Sequence, residues 1–462
     1  MTASISTQTL ADLRQRLGAT LIAPGDPAYE SERLAWNRVV DQHPAVIVLA
    51  RDAQDVRTAV QAAAAYDLPV AVQTTGHGVV RGADGAMLVV LAALKQVQVD
   101  PAARTARVGG GAKWADVLEH CTPHGLAPLL GSTPDVGVAG YTLGGGLGWL
   151  GRKYGMACDS VNWFELVTAN GEISRASASE NPDLFWALRG GGGGFGVVTE
   201  LEIQLFPVAE VYGGNLFYPP ELAAEVFARY RAWIAAAPDE LTSSVVLMNF
   251  PPVPALPDFL RGKSFVLVRG AYTGAAESGE KLLDYWRAWR PPLIDDFKRL
   301  PFSQVAAISN DPVDPLPGTG SGGWLNDLSD ETAAVLIRST LPQNGPPALI
   351  FVEVRHTGGA IAAVDPAQTA YSHRQEQLVL YTVAMTPTPE IRAAARAHID
   401  EMRAALGNHM SQAVYMNFLD GEEARRRTPD GFSPAAFTRL QLVKAAWDPS
   451  NRFNHSYMLV SE

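Results

Sequence analysis

Val72-Gln-Thr-Thr-Gly-His-Gly78 is the stretch around which the rest of the sequence is interpreted. It overlaps the end of an apolar run, residues 68–72, that predicts a strand, and it carries His77 between two glycines. A glycine turn after a strand lets backbone N–H groups converge on an anion such as a pyrophosphate. The alternative is a surface turn with an idle histidine, because histidines are common in turns. The loop alone leaves both interpretations open.

Length and composition exclude several classes of protein. With 462 residues the chain is long enough for two or three domains. The net charge of -11 argues against nucleic acid or an anionic membrane as a partner. Cys121 and Cys158 are too few for a disulfide framework or a thiolate metal cluster. No run indicates a signal peptide or a membrane span, so we expect a soluble, cytoplasmic protein.

The region around the opening stretch has the pattern of a β-α-β unit. Residues 44–50 and 68–72 are expected strands, and residues 56–66 form an alanine-rich expected helix between them. Such a unit favours parallel pairing of its two strands. Further strands are predicted at residues 85–91, 97–101, 105–109, 161–169, 173–176 and 197–206, and helices at residues 113–124 and 183–188.

Two glycine-rich stretches follow. Residues 131–148 contain seven glycines and almost no charge, whereas flexible linkers usually carry Ser, Lys or Glu as well. We therefore favour backbone packed against something large and flat, such as a cofactor, over a buried structural loop. The second stretch, residues 189–196, leads into a strand. Formal G-x-G-x-x-G matches occur at residues 146–151 and 191–196, but neither has the strand-then-helix context of a dinucleotide-binding fingerprint.

The middle of the chain has a different character. Between residues 208 and 410, predicted strands alternate with helices at residues 220–236, 278–288 and 388–406, which suggests a mainly antiparallel sheet covered on one face. Residues 310–323 are rich in Gly, Pro and Asp and predict a long mobile loop or lid. After this region, residues 412–418 predict a strand and residues 433–446 a helix.

Six motifs, taken together and in order, resemble the berberine-bridge-enzyme-like family of FAD-linked oxidases, especially its bacterial hydroxynicotine-oxidase type. They are the Gly-His-Gly loop, Pro134-Asp-Val-Gly137 with Gly144-Gly-Gly-Leu-Gly148, Arg152-Lys-Tyr-Gly155, Arg189-Gly-Gly-Gly-Gly193 with Phe195-Gly-Val-Val-Thr199, Tyr415-Met-Asn417, and Asp448-Pro-Ser-Asn-Arg-Phe453. The resemblance implies an α+β, two-domain flavoprotein of the PCMH/VAO type. A bipartite FAD-binding domain, residues 1–207 and 411–462, would flank a substrate-binding domain with an antiparallel sheet, residues 208–410.

The resemblance also implies how FAD is held. The covalent histidine of the family corresponds to His77, and Thr133 stands where many members have a second, cysteine attachment, so we expect a single covalent bond. Val136 stands at a position that influences oxygen access in the family, and its modest side chain is compatible with an oxidase. The residues expected to contact FAD are His77, Gln73, Thr74, Thr75, Gly76, Gly78, Thr133, Val136, Gly137, Gly140, Gly144, Gly145, Gly148, Gly196, Val198, Asn417 and Tyr457.

Catalysis is expected to need a base near the substrate. The family's catalytic tyrosine corresponds to Tyr415, although packing in a strand is the alternative role, and Tyr141 could face the substrate or merely pack. A phenol with a pKa near ~10 needs a neighbour to act as a base at neutral pH, and the sequence does not identify that neighbour.

The leading prediction is an oxidase for a small organic substrate, with O2 as electron acceptor and H2O2 as product. A dehydrogenase with another acceptor and a flavin-binding protein without redox turnover, for which Leu147 and Ser456 depart from the family pattern, are the alternatives.

Overall fold

The first sheet is built around the predicted β-α-β unit. The computed structural model describes residues 5–342 and 345–460. The strands are β1 (Leu21–Ile22), β2 (Val46–Leu49), β3 (Val70–Gln73) and β4 (Met87–Val90), in the order β1-β2-β4-β3. β2 and β3 are parallel, as predicted, but they do not pair with each other, because β4 lies between them and pairs with both. β4 is buried along its whole length, which is typical of a central strand.

A second, antiparallel sheet follows. Its strands are β5 (Val97–Asp100), β6 (Thr105–Gly109), β7 (Val161–Val167), β8 (Ile173–Ser177) and β9 (Val197–Gln204), in the order β5-β6-β9-β7-β8. The helices of this part of the chain are α1 (Thr7–Leu17), α2 (Tyr29–Glu32), α3 (Ala53–Ala65), α4 (Trp114–Cys121), α5 (Val138–Leu143), α6 (Gly151–Tyr154) and α7 (Pro182–Leu188). α3 begins at the side chain of Asp52, which accepts hydrogen bonds from two free N–H groups of the first turn.

The C-terminal tail is tied to the N-terminal part by buried polar contacts. The guanidinium of Arg452 donates to the carbonyl oxygens of Ala63 and Leu68, at 3.2 and 3.0 Å. Lys444, which is buried, donates at 2.6 Å to the carbonyl of Gly194 and at 2.6 Å to Asp448. A buried ammonium requires such partners, so these contacts fix the tail in place. The predicted domain boundaries near residues 207 and 410 stay predictions.

The largest sheet lies in the middle of the chain and is antiparallel throughout, as predicted. Its strands are β10 (Glu210–Tyr218), β11 (Leu241–Asn249), β12 (Ser264–Tyr272), β13 (Ile294–Asp295), β14 (Lys298–Pro301), β15 (Gly318–Leu325), β16 (Phe351–His356) and β17 (Leu378–Met385). The order is β13-β10-β12-β11-β16-β17-β15, with β14 beside β10. The remaining helices are α8 (Ala223–Ile234), α9 (Ala276–Arg287), α10 (Asp330–Thr340), α11 (Ala360–Ala363), α12 (Pro389–Leu406), α13 (Gly421–Arg426) and α14 (Pro434–Trp447).

Helices cover one face of the large sheet. Val268, Val352 and Val354 point to that face and share a hydrophobic core with residues of α8, α9, α10 and α12. Side chains alternate along a strand, so the residues between these valines point to the opposite face. That second face is turned toward the N-terminal part of the chain and borders a cavity.

Two predictions for this half of the chain are wrong. Residues 310–323 are not one long loop, because their second half forms β15, an edge strand paired with β17. The glycines of β15 allow close packing: a Cβ at Gly322 would lie 2.7 Å from Phe418, and one at Gly323 would lie 2.7 Å from Met410. Residues 412–418 are not a strand either; their backbone ends in a 3₁₀ turn, Met416–Phe418.

Among the described residues, no helix is long and apolar enough to cross a bilayer. The cytoplasmic location that the sequence suggests stays a prediction.

Candidate functional site

A cavity of ≈ 550 Å³ separates the N-terminal glycine-rich loops from the second face of the large sheet. This volume lies in the range of small-molecule and cofactor sites. Both ends of the chain and the middle region contribute to its walls, as expected for a site shared between a cofactor-binding part and a substrate-binding part.

One side of the cavity, which we call the glycine wall, is formed by three segments: residues 73–78, residues 131–144 and residues 192–198. Asn417 and Tyr457 from the tail join it. Most of the residues predicted to contact a cofactor lie on it, namely Gln73, Thr74, Thr75, Gly76, His77, Gly78, Thr133, Val136, Gly137, Gly140, Gly144, Gly196, Val198, Asn417 and Tyr457. The sequence motifs therefore converge in space.

Two of the predicted cofactor contacts lie behind this wall. A Cβ at Gly145 would lie 2.9 Å from Met156, and one at Gly148 would lie 1.8 Å from the carbonyl oxygen of Leu130. Neither glycine borders the cavity. Their role in the structure is close packing of backbone against the next layer, which a side chain would prevent.

His77 has one partner on the face of its ring and another at a ring nitrogen. The indole of Trp36 stacks on the imidazole with ring centroids 3.9 Å apart, and Nε2 lies 3.3 Å from Asp135 Oδ2. Asp135 is itself paired with Lys113. Burial lowers the pKa of His77 below its ordinary value, although Asp135 acts in the opposite direction, so the neutral imidazole is favoured at neutral pH. Nothing in the sequence indicates that Trp36 is this partner.

Tyr415 is buried at the floor of the cavity, with 1% of its surface exposed. Its hydroxyl oxygen accepts hydrogen bonds from the backbone N–H groups of Gly146 (3.1 Å) and Leu147 (2.9 Å) and from the amide of Asn417 (3.2 Å). Burial raises the pKa of Tyr415 to about 12, while these three donors act in the opposite direction. They are the neighbours that the sequence did not identify, and they favour negative charge on the phenol oxygen.

Tyr141, the second predicted catalytic residue, also borders the cavity. Its ring is half-buried and packs edge-on against Trp114, with centroids 5.6 Å apart. Its hydroxyl oxygen is buried and has no hydrogen-bond partner among the described residues, and burial raises its pKa well above the ordinary value. A buried hydroxyl facing a cavity without a partner is available to a bound molecule.

The opposite side of the cavity, which we call the charged wall, consists of side chains of the large sheet. Arg269 lies on β12, Glu353 and Arg355 on β16, and Tyr381 on β17. The carboxylate of Glu353 pairs with Arg355 at 2.9 Å. Burial alone would raise the pKa of Glu353, but Arg355 and Arg269 outweigh it and hold the pKa below its ordinary value. Sequence reasoning missed these residues, although Val352-Glu353-Val354-Arg355 alternates apolar and charged side chains.

The His373-Arg374 pair of the middle region serves the structure. Arg374 is fully buried, forms two hydrogen bonds with Asp159 at 2.9 and 2.7 Å, and does not border the cavity. His373 contacts the carbonyl oxygen of Asp430 at 2.9 Å. These contacts join the middle region to the N-terminal part and to the tail.

The residues of the glycine wall fit an FAD. A Cβ at Gly78 or Gly140 would meet no atom within 4 Å, so at both positions the backbone itself forms the cavity surface. A flat ring can lie on such a surface without side chains in the way. No group of residues suited to a metal ion occurs in the described part of the chain.

Comparisons with known proteins agree with this geometry. Residues 44–177 match the FAD binding domain family, and residues 414–457 match the family described as berberine and berberine like. The chain is 27% identical to (R)-6-hydroxynicotine oxidase of Paenarthrobacter nicotinovorans over 96% of both chains. The crystal structure of 6-hydroxy-D-nicotine oxidase from Arthrobacter nicotinovorans superimposes with a TM-score of 0.83, at 23% identity over 96% of this chain and 98% of that one.

The same fold occurs in Phl p 4, whose structures superimpose at 21% identity over 96% of this chain and 98% of theirs. The wild-type protein, with a TM-score of 0.81, is described as a glucose dehydrogenase, and a variant with an isoleucine replaced by valine, with a TM-score of 0.80, as a glucose oxidase. One fold therefore accommodates both kinds of electron acceptor.

Proposed function

We propose that this chain, whose residues 44–177 match the FAD binding domain family and whose residues 414–457 match the berberine and berberine like family, is an oxidase for a small organic alcohol, amine or secondary metabolite. Bound FAD would accept a hydride from a substrate carbon at N5 and pass the electrons to O2, giving H2O2. The chain's own residues have to hold the substrate and accept the proton that leaves with the hydride.

The observation that carries the proposal is the environment of Tyr415. Three N–H donors converge on its hydroxyl oxygen, two from the backbone of Gly146 and Leu147 and one from Asn417. As a phenolate, Tyr415 would accept the proton of the substrate O–H or N–H group, and the three donors would stabilise the anion before the transfer. Asn417 is oriented for this role, because its amide also donates to the carbonyl oxygen of Tyr141 at 2.9 Å.

We further propose that His77 forms the single covalent bond to the FAD. The neutral imidazole is the nucleophilic form, and the lowered pKa of His77 supports that state. Trp36 and Asp135 restrict the rotation of its ring, which favours a fixed attachment. Thr133, on the same wall, has no thiol, so a second attachment there is not expected.

Two observations support O2 as the electron acceptor. Val136 borders the cavity and leaves more room than a larger residue would, and a hydroxynicotine oxidase is among the relatives. A dehydrogenase is the second candidate, because wild-type Phl p 4 has the same fold and is described as one.

The two candidates differ in how quickly the reduced protein reacts with air. We expect the purified holoprotein, reduced anaerobically with dithionite and mixed with air-saturated buffer in a stopped-flow instrument, to regain its flavin absorbance faster than free reduced FAD. Peroxide should form in equal amount to the flavin oxidised. Slow reoxidation, with rapid electron transfer to an artificial quinone, would instead support the dehydrogenase.

A further inference from the structure

Arg269 is a buried arginine of the charged wall. It is 6% exposed and borders the cavity. Its Nε is buried without a hydrogen-bond partner, and among the described residues no carboxylate forms an ion pair with it. The buried Arg355 and Arg374 form ion pairs with Glu353 and Asp159, and the buried Arg452 donates to two carbonyl oxygens, whereas no hydrogen bond of the Arg269 side chain occurs in the described part of the chain. A buried charge without an ion pair is costly. Since the chain supplies no ion pair to Arg269 among the described residues, a ligand in the cavity is the expected partner.

The position of Arg269 is set by the register of the sheet. Ser244 of β11 is the cross-strand partner of Arg269 on one side and of Arg355 on the other. The two arginine side chains therefore lie on the same face, on either side of Ser244, and both border the cavity. Glu353 forms its ion pair with Arg355, at 2.9 Å, and not with Arg269. Burial lowers the pKa of Arg269 below its ordinary value, and the nearby carboxylates of Glu353 and Asp311 offset this effect only in part.

The surroundings indicate what else a ligand would carry. The rings of Tyr381 and Phe418 stack on each other next to Arg355, with centroids 4.1 Å apart, and both border the cavity. Arg355 lies over the ring of Phe418 at 5.8 Å. An aromatic or aliphatic body would pack on these rings while an anionic group reached Arg269.

We propose that the substrate of this enzyme is an organic anion, with a carboxylate or a comparable oxyanion held by Arg269 beside Arg355 and an apolar body held by Tyr381 and Phe418. A guanidinium binds a carboxylate through two parallel N–H donors, which gives orientation as well as affinity. The inference rests on the proposed function, because it names the substrate class of the same cavity. Asp311, which also borders the cavity and influences Arg269 electrostatically, is the competing partner within the chain.

Calorimetric titration of the oxidised holoprotein with three probes of similar size tests the proposal: benzoate, benzamide and benzylamine. We expect benzoate to bind about tenfold or more tightly than benzamide, and the difference to shrink at high salt. Arg269→Met should remove this preference and leave benzamide binding unchanged, whereas Arg269→Lys should keep part of it. Arg299→Met, on an exposed arginine of β14, is the matched control and should bind like the parent.

Several outcomes would overturn the proposal. These are equal binding of benzoate and benzamide, no benzoate binding at all, tighter binding of benzylamine, or benzoate binding that survives Arg269→Met. If Arg269→Met does not fold by circular dichroism, the lysine variant decides, because it keeps the charge but not the planar fork. The titration measures binding and needs no turnover. Its failure would therefore contradict the anionic substrate class, whereas slow reoxidation of the reduced protein would contradict the proposed oxidase activity.

Discussion

The two walls of the cavity present opposite kinds of surface. The glycine wall offers backbone, with side chains absent at Gly78 and Gly140, whereas the charged wall offers the long side chains of Arg269, Glu353 and Arg355 on a regular sheet. A surface made of backbone suits a cofactor that is the same whatever the substrate, because it contains no side chain that a substitution could change. A side-chain surface can change its chemistry with single substitutions and leave the strands intact. This division is what we would expect if one wall holds the cofactor and the other selects the substrate.

Tyr415 stands where the walls meet, and its removal should have the largest effect on catalysis. Tyr415→Phe removes the oxygen that the three donors surround, so kcat/KM should fall by about 10²- to 10⁴-fold with any substrate found in a peroxide-coupled screen. Tyr218→Phe, on a buried tyrosine of β10 outside the cavity, is the control and should keep the parent's activity. Full activity of Tyr415→Phe would exclude Tyr415 as the base.

The charged wall should also determine the stability of the middle region. Glu353→Gln leaves Arg355 buried without its anion, so the free energy of unfolding at pH 7 should fall by about 3–5 kcal/mol. Because the pKa of Glu353 is lowered, its contribution is present above pH 4.5 and should be lost as the pH falls below that value. Urea titrations at several pH values measure this.

The control for that experiment is an exposed ion pair of the same region. Glu277→Gln breaks the exposed pair with Arg299 and should change the free energy of unfolding by at most about 1 kcal/mol. Equal effects of the two substitutions would contradict a special role for the buried pair.

The glycine wall should respond differently where a new side chain would meet the C-terminal tail and where it would meet only the open cavity. A Cβ at Gly144 would lie 1.8 Å from Asn417 Oδ1 and 2.7 Å from the hydroxyl of Tyr457, so Gly144→Ala should lower the free energy of unfolding by about 1–3 kcal/mol. Gly140→Ala meets no atom of the chain, so it should leave that free energy unchanged or higher but reduce the flavin-to-protein absorbance ratio. If Gly140→Ala incorporates flavin normally, the ring does not lie against that position.

The smallest expected effect concerns the pH dependence. Asn417→Ala removes one of the donors that hold the pKa of Tyr415 down, so this pKa should rise by about one unit or less. Below the pKa, fewer molecules would then carry the phenolate, and kcat/KM at a pH of about 9 should fall by up to about tenfold. Asn326→Ala, on an exposed asparagine just after β15, should leave the profile unchanged. An unchanged profile in Asn417→Ala would mean that Asn417 does not assist the base.

The same division explains how much could be predicted from the sequence. The glycine wall was predictable because its glycines and His77 lie in short contiguous motifs. A glycine-rich stretch with almost no charge also differs from an ordinary flexible linker, which indicates a packed backbone. The charged wall was not, because alternation places Glu353 and Arg355 on one face of β16 but cannot tell which face the helices cover. Trp36 is distant in sequence from His77, and the backbone donors at Gly146 and Leu147 are distant from Tyr415. Residues 318–325 resemble a loop until Phe418 and Met410 pack on their glycines.

The attachment of FAD to His77 tests the account most directly, because every role described above depends on a flavin in this cavity. Mass spectrometry of the intact, acid-denatured protein should show the chain plus one FAD for the parent, and the unmodified chain for His77→Ala. His120→Ala, on an exposed histidine of α4, should retain the added mass. A parent protein at the unmodified mass, or an FAD adduct that persists in His77→Ala, would contradict the account.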